Sequence, residues 1–297
     1  MKNYFTEYGY TPDKEAMDRA LDLIAANLGN IVSRDVLLSC FSMMDVTSLK
    51  TDDTPSSIIR LVEKVNGLKD AFPEFPLPAS VCVYPDFVET VKSHKKCGEV
   101  HITAVAGCFP SSQSFLEVKL LECGMAVEKG ADEIDIVLSL SSFLEGDYES
   151  ASEEIRKIRS CIDEAAAKQG RSVHLKVILE TGLLLSPELI AKASFLAMEA
   201  GADFIKTSTG KVNVNATPAA AYVMCECIAA YYRKTGRKVG FKPAGGISTA
   251  MDAVSYYTIV STVLGHEWLD KSLFRFGVSR MANNIISEIE QKTVAYF

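Results

Sequence analysis

No stretch of 18 consecutive apolar residues occurs in this chain, so no segment reads as a membrane-spanning helix. Met1 to Tyr10 is polar and lacks the apolar core of a signal peptide, and the expected compartment is cytoplasmic. Positive charge is in deficit: 31 Lys and Arg against 38 Asp and Glu give a formal net charge of -7. Such a chain is a poor generic binder of nucleic acid or an anionic membrane, and an anionic substrate would need a locally basic pocket. Histidine is scarce. His94, His101, His174 and His266 show no H-x-x-x-H or H-x-H spacing, and His101 and His174 read as structural residues that open strands. The eight cysteines are scattered, and Cys225 and Cys227 have no second pair to complete a zinc site, so free thiols are expected. No metal and no cofactor are expected. A G-x-G-x-x-G after the first strand is missing, which argues against a doubly wound dinucleotide-binding sheet. No Pro/Gly/Ser-rich linker divides the chain, which reads as one domain over residues 1–297 with a helical extension over residues 1 to about 40.

What is present is an alternation. Of the 297 residues, 48% are apolar and 23% charged, a globular composition at a length that suits one α/β barrel. Thr11-Pro12-Asp13 marks a helix start, and Met17 to Leu28 carries apolar residues at helical spacing. Strand-length apolar runs follow at Phe41–Val46, Ser80–Tyr84, His101–Ala106, Glu133–Leu138, His174–Leu179, Phe204–Thr207, Val239–Lys242 and Phe274–Phe276. Between them lie helices such as Ala151–Gln169, Pro187–Ala200 and Pro218–Lys234. Eight strands alternating with helices predict a parallel sheet closed into a (β/α)8 TIM barrel. Two strands open alike. Gly130-Ala131-Asp132 leads to Asp135 and Gly201-Ala202-Asp203 leads to Lys206 at equal offset, which predicts equal depth and facing on strands 4 and 6, in one interior layer.

Three lysines sit inside apolar strands: Lys176, Lys206 and Lys242. Lysine is rarely buried without a partner. A lone case reads as a side chain reaching for solvent at a strand end, but three on consecutive barrel strands are harder to dismiss. Burial and a second ammonium both disfavour the charged amine, and the neutral amine is what attacks a carbonyl to form a Schiff base. A carboxylate such as Asp135 can hold a second lysine or shuttle protons. Small residues follow the last two strands, at Gly245-Gly246 and at Gly277-Val278-Ser279-Arg280, where barrel enzymes frequently bind phosphate. Thr207-Ser208-Thr209-Gly210-Lys211 fails as a P-loop, because Ile205 occupies the first glycine position.

The segments Phe204–Lys211 and Gly240–Gly246 resemble the two signature segments of the deoxyribose-phosphate aldolases. Met44–Leu49, Val81–Pro85, Glu133–Val137, Leu175–Gly182 and Val214–Thr217 are similar to further family segments, and the resemblance runs from about Phe41 to Ile286. It implies a metal-free class I aldolase barrel of deoxyribonucleotide catabolism, which reversibly cleaves 2-deoxy-D-ribose 5-phosphate into acetaldehyde and D-glyceraldehyde 3-phosphate. It further implies Lys206 as Schiff-base nucleophile, Lys242 as the cation that lowers its pKa and Asp135 as proton-relay carboxylate. Gly210, Lys211, Gly245, Gly246, Gly277 and Ser279 would surround the phosphate, and Asp45 and Cys82 would line the pocket. Lys176 is grouped with these substrate-binding residues.

The chain departs from the family pattern at several places. Ser248 replaces a usual arginine, Arg280 a usual serine or threonine, Ser112 a glycine and Leu183 a glutamate. Tyr296, in the position class of a tail tyrosine that some members use as a proton carrier, is followed by Phe297. Arg280 is a candidate to supply the displaced phosphate-binding charge. The leading expectation is an active aldolase on a small phosphorylated sugar. The second is a divergent barrel with weak or no such activity, acting as a binding or scaffolding protein; the third is a Schiff-base lyase on another phosphorylated sugar or a keto acid. Oligomeric state is not fixed by the sequence, and a homodimer is one candidate.

Overall fold

The computed structural model describes residues 3–297; Met1 and Lys2, the start of the expected helical extension, lie outside them. Eight strands form one parallel sheet: β1 (Met44–Thr47), β2 (Ser80–Val83), β3 (His101–Val105), β4 (Glu133–Val137), β5 (His174–Ile178), β6 (Phe204–Lys206), β7 (Gly240–Lys242) and β8 (Phe276–Val278). Consecutive strands pair from β1 through β7, and β1 also pairs with β8. The seam between β7 and β8 is closed by bridges at Phe241–Phe274 and Ala244–Gly277, through which Phe241 and Gly277 donate to Leu273 and Pro243. Helices connect the strands, and the architecture is the (β/α)8 barrel that the alternation predicts.

Six strands differ from the sequence expectation by one residue at one end, and two differ by more. The segment from Phe41 opens in a helix (Arg34–Ser42), because Phe41 is fully buried against Phe75 on that helix's inner face, and β1 begins only at Met44. The last strand starts two residues later than expected, at Phe276, and Phe274 makes only an isolated bridge.

The helical extension comprises Tyr4–Tyr8, Lys14–Ile31 and Arg34–Ser42. Asp13 accepts the Ala16 N–H at the predicted helix start. These helices lie over the outer layer: Lys14–Ile31 packs on Pro218–Thr235 and Ala250–Leu264, and Tyr8 stacks on Phe195 with ring centroids 4.4 Å apart.

The Gly-Ala-Asp repeat is structurally equivalent in its two copies. Gly130 and Gly201 both take positive φ; Gly130 caps its helix, whereas the second helix is capped by Ala200. Asp132 accepts the Ile102 N–H and Asp203 accepts the Leu175 N–H, each at 2.8 Å. Each turn thus ties its strand to the preceding one in the same way. Lys206 is paired with Ile178, and Ile178 with Val137, two residues beyond Asp135. A shear of about one residue per strand in an eight-stranded barrel brings Asp135 and Lys206 back to one level.

Candidate active site

The barrel interior holds a cluster of charged side chains that alternation along the strands turns inward. Asp45 comes from β1, Glu133 and Asp135 from β4, Lys176 from β5, Lys206 from β6, Lys242 from β7, and Arg275 from the residue before β8. All are buried; the most exposed, Lys206, shows only 3% of its surface. Charges out of water must be paired, and these are. Asp135 receives three lysines: Lys176 Nζ at 3.0 Å on Oδ1, and Lys206 and Lys242 Nζ at 2.8 Å each on Oδ2. Lys242 also lies 2.5 Å from Asp45 Oδ2. Arg275 grips both oxygens of Glu133, at 2.7 and 3.1 Å, and Asp45 Oδ1 at 2.7 Å. Lys176 also pairs with Glu133.

The electrostatics separate the two lysines nearest the cavity. Burial holds Lys206 below the ordinary lysine range; Asp135 opposes this, and the Lys242 ammonium adds to it. Burial also works against the charge on Lys242, yet Asp135 and Asp45 together push it well above the usual value. Lys242 has two carboxylates, whereas Lys206 has a share of one. Asp135 itself would be raised by burial, but Lys176, Lys206 and Lys242 hold it far below the carboxylate range. The cluster therefore pairs a lysine disposed to be neutral with an ammonium and a carboxylate that rest in their charged forms.

Above Lys206, at the C-terminal ends of the strands, opens a cavity of about 520 Å³. The loops after β6, β7 and β8 bring Gly210, Lys211, Gly245, Gly246, Gly277, Ser279 and Arg280 around it, as the sequence reading expects. Lys50, from the loop after β1, also lines it. The lining contains Lys50, Lys206, Lys211 and Arg280 and no carboxylate, a locally basic site in a chain of net charge -7. Gly245 is left-handed (φ +79°), and a Cβ there would meet the Asn215 side chain at 2.7 Å. Gly277 is required for close approach: a Cβ would lie 2.7 Å from that of Ala244 and 3.2 Å from Lys242 Cε. Its N–H donates to Pro243, so Gly277 offers no backbone donor to an anion.

Three expected pocket residues lie elsewhere. Asp45 and Lys176 are fully buried beneath the cavity, committed to the ion cluster, and do not line it. Cys82 is likewise fully buried, packed with Leu49 and Val105, its thiol pushed up by burial. Tyr296 is remote as well: its hydroxyl donates to the Lys64 carbonyl and its ring meets Phe72 edge-on. Arg275 and Glu133 were not singled out from the sequence as site residues. The signal was available, since Phe274-Arg275-Phe276 is a charge inside an apolar run, the same mark that exposed the three lysines.

The altered loop positions have structural readings. Ser112 adopts φ +56°, the backbone for which glycine is the usual residue, and its hydroxyl accepts from the buried Lys119 Nζ. Ser248 lines the cavity, but its N–H donates to Asp252, which with Thr249 caps the helix Ala250–Leu264. The helix Met281–Glu290, beginning directly after Arg280, has no side-chain cap. Arg280 is exposed, and its side chain makes no hydrogen bond or ion pair among the described residues. At the other end of the barrel, His101, Glu133 and His174 bring potential ligand atoms within 4.8 Å of one another. Glu133 already accepts from Arg275, Lys176, Thr103 and His101, which leaves it poorly suited to bind an ion.

Comparison with known proteins bears on the family and the fold. The DeoC/LacD family aldolase model matches residues 40–260. The human deoxyribose-phosphate aldolase is 42% identical over 263 residues, covering 85% of this chain and 80% of its own. The mouse deoxyribose-phosphate aldolase is 41% identical over 266 residues, covering 86% and 80%. Among solved structures, the tetrameric deoxyribose phosphate aldolase of Aeropyrum pernix superposes with a TM-score of 0.65 at 24% identity, covering 93% of this chain and 98% of that one, a likeness of fold. The chain belongs to the DeoC/LacD family of aldolases.

Proposed function

We propose that this aldolase reversibly cleaves 2-deoxy-D-ribose 5-phosphate into acetaldehyde and D-glyceraldehyde 3-phosphate through a Schiff base on Lys206. The observation that carries the reading is the placement of Lys206: below a cavity lined by cations and no carboxylate, with its charge disfavoured by burial. In this reading the neutral Nζ attacks the C1 aldehyde of the open-chain sugar, and loss of water gives the iminium. Removal of the C3 hydroxyl proton then breaks the C2–C3 bond. Its electron pair passes into the iminium, leaving an enamine and releasing glyceraldehyde 3-phosphate. Protonation of the enamine at C2 and hydrolysis release acetaldehyde and restore Lys206. Asp135, in contact with Lys206 and Lys242 alike, is suited to relay protons, and Lys242 keeps a positive charge beside the nucleophile. Lys211, Arg280 and the uncapped start of the last helix are the groups we assign to the phosphate.

The test is borohydride trapping with deoxyribose 5-phosphate, followed by identification of the modified residue. Label on Lys206, lost in Lys206→Leu and unaffected by exhaustive chelation, is the expected result. Label on Lys176 or Lys242 overturns the assignment.

A further inference from the structure

The buried cluster is not neutral by count. Lys176, Lys206, Lys242 and Arg275 make four cationic groups, and they face three carboxylates, Asp45, Glu133 and Asp135. One positive charge is in surplus. Among the described residues no further carboxylate forms an ion pair with these four cations. Cys82, close to both Lys206 and Lys242, is fully buried with its thiol pushed up, so it stays uncharged. Glu180 is raised by burial, against Thr209 and the more distant Lys206 charge; it gives both oxygens to Thr209, at 3.1 Å to the N–H and 2.5 Å to the hydroxyl, and forms no ion pair with any of the four cations. His101 and His174 approach only Glu133, from the far end of the barrel, and bring no negative charge.

In a closed interior such a surplus is relieved by loss of a proton. Which group loses it depends on the partners. Guanidinium stays protonated under all ordinary conditions, and Arg275 takes both oxygens of Glu133 and one of Asp45. Lys176 and Lys242 each touch two carboxylates, while Lys206 touches Asp135 alone and shares it with both of them. We propose that Arg275 is a positioning residue for the aldol reaction: by occupying Asp45 and Glu133 with a cation that cannot deprotonate, it leaves Lys206 as the member of the cluster that carries a free amine. Arg275 is outside the cavity and touches no substrate; it acts through Asp45, Glu133 and the lysines they share.

The inference rests on Lys206 being the nucleophile, and one experiment separates the two. The rate of borohydride-trapped labelling by deoxyribose 5-phosphate is measured against pH, with the labelled residue identified, for the wild type, Arg275→Met, Glu133→Gln and the double variant. Removing a buried cation must move the acidic limb of the profile to higher pH, and removing a buried anion must move it lower, each by about one pH unit. Arg275→Met is expected above the wild type, Glu133→Gln below it, and the double variant between the two. Should Arg275→Met fail to fold with Glu133 unpaired, the double variant must still lie above Glu133→Gln. Limbs that coincide, or single variants that shift in the same direction, overturn the role of Arg275 while label stays on Lys206. Label on another lysine overturns the underlying assignment instead.

Discussion

Lys206 and Lys242 stand side by side in register on β6 and β7 and donate to the same carboxylate oxygen, Asp135 Oδ2, each at 2.8 Å. Two equal contacts give two unequal lysines, because Lys242 has Asp45 as a second anion and Lys206 has none. The position of a nearby charge, rather than the length of one hydrogen bond, separates an ammonium held in its charged form from a lysine whose charge is disfavoured.

Replacing Lys242 by Leu removes the cation that adds to the depression of Lys206, and frees Asp135 to stabilise its charged form. The pKa of Lys206 must then rise. The acidic limb of kcat/KM for deoxyribose 5-phosphate is expected to move to higher pH. At pH 7 the rate should fall by about two to four orders of magnitude, the span of general acid–base and nucleophile-activation effects. Recovery of part of the loss at high pH would support the electrostatic cause; an unmoved limb would count against it.

The Arg280 side chain lines the cavity with no partner among the described residues, and Ser248 on the same lining brings no charge. A charge-assisted contact contributes roughly 1.5–3 kcal/mol. Arg280→Ser should therefore raise KM for the phosphorylated sugar by about one to two orders of magnitude, and leave activity on unphosphorylated deoxyribose nearly unchanged. Steady-state kinetics on both substrates decides it: an equal effect on the two, or none, removes Arg280 from phosphate recognition.

Gly277→Ala places a methyl 2.7 Å from the Ala244 Cβ and 3.2 Å from Lys242 Cε, where two strands already touch. Overpacking of this kind costs about 1–3 kcal/mol. The variant is expected to lower the thermal midpoint and to reduce kcat by displacing Lys242. Wild-type behaviour in both measurements would show that the β7–β8 seam yields more easily than its contacts imply.

Acid stability follows from the three carboxylates. Asp45, Glu133 and Asp135 are all held below their ordinary range in the folded chain, by Lys242 and Arg275, by Lys176 and Arg275, and by the three lysines respectively, against the effect of burial. In the unfolded chain they titrate near ~4. Their contribution is present above that value and is lost as pH falls toward the folded pKa values, since the unfolded state then binds more protons. The thermal midpoint should be nearly level from about pH 8 to 5 and fall steeply below about pH 4. Asp135→Asn, which leaves three lysines around a neutral amide, should cost about 3–5 kcal/mol at pH 7 and show a shallower acid decline. A parallel decline would remove Asp135 from the acid response.

The alternation of apolar strands with amphipathic helices determined the barrel, because strand and helix periods are local properties of the chain. Charged residues inside apolar runs marked Lys176, Lys206 and Lys242, and the two Gly-Ala-Asp turns aligned Asp135 with Lys206. The ends of the first and last strands were not decided locally. Phe41 is helical because Phe75 buries it there, and Phe274 bridges to Phe241 only once the barrel closes. The partition of the charges was likewise tertiary. Nothing in the sequence says that Arg275 meets Glu133 and Asp45, residues 142 and 230 positions away, or that Lys176 and Asp45 belong to the cluster and not to the cavity wall. A charge shows its presence in a strand through the apolar residues beside it, but its partners are chosen by strands that only the closed barrel brings together.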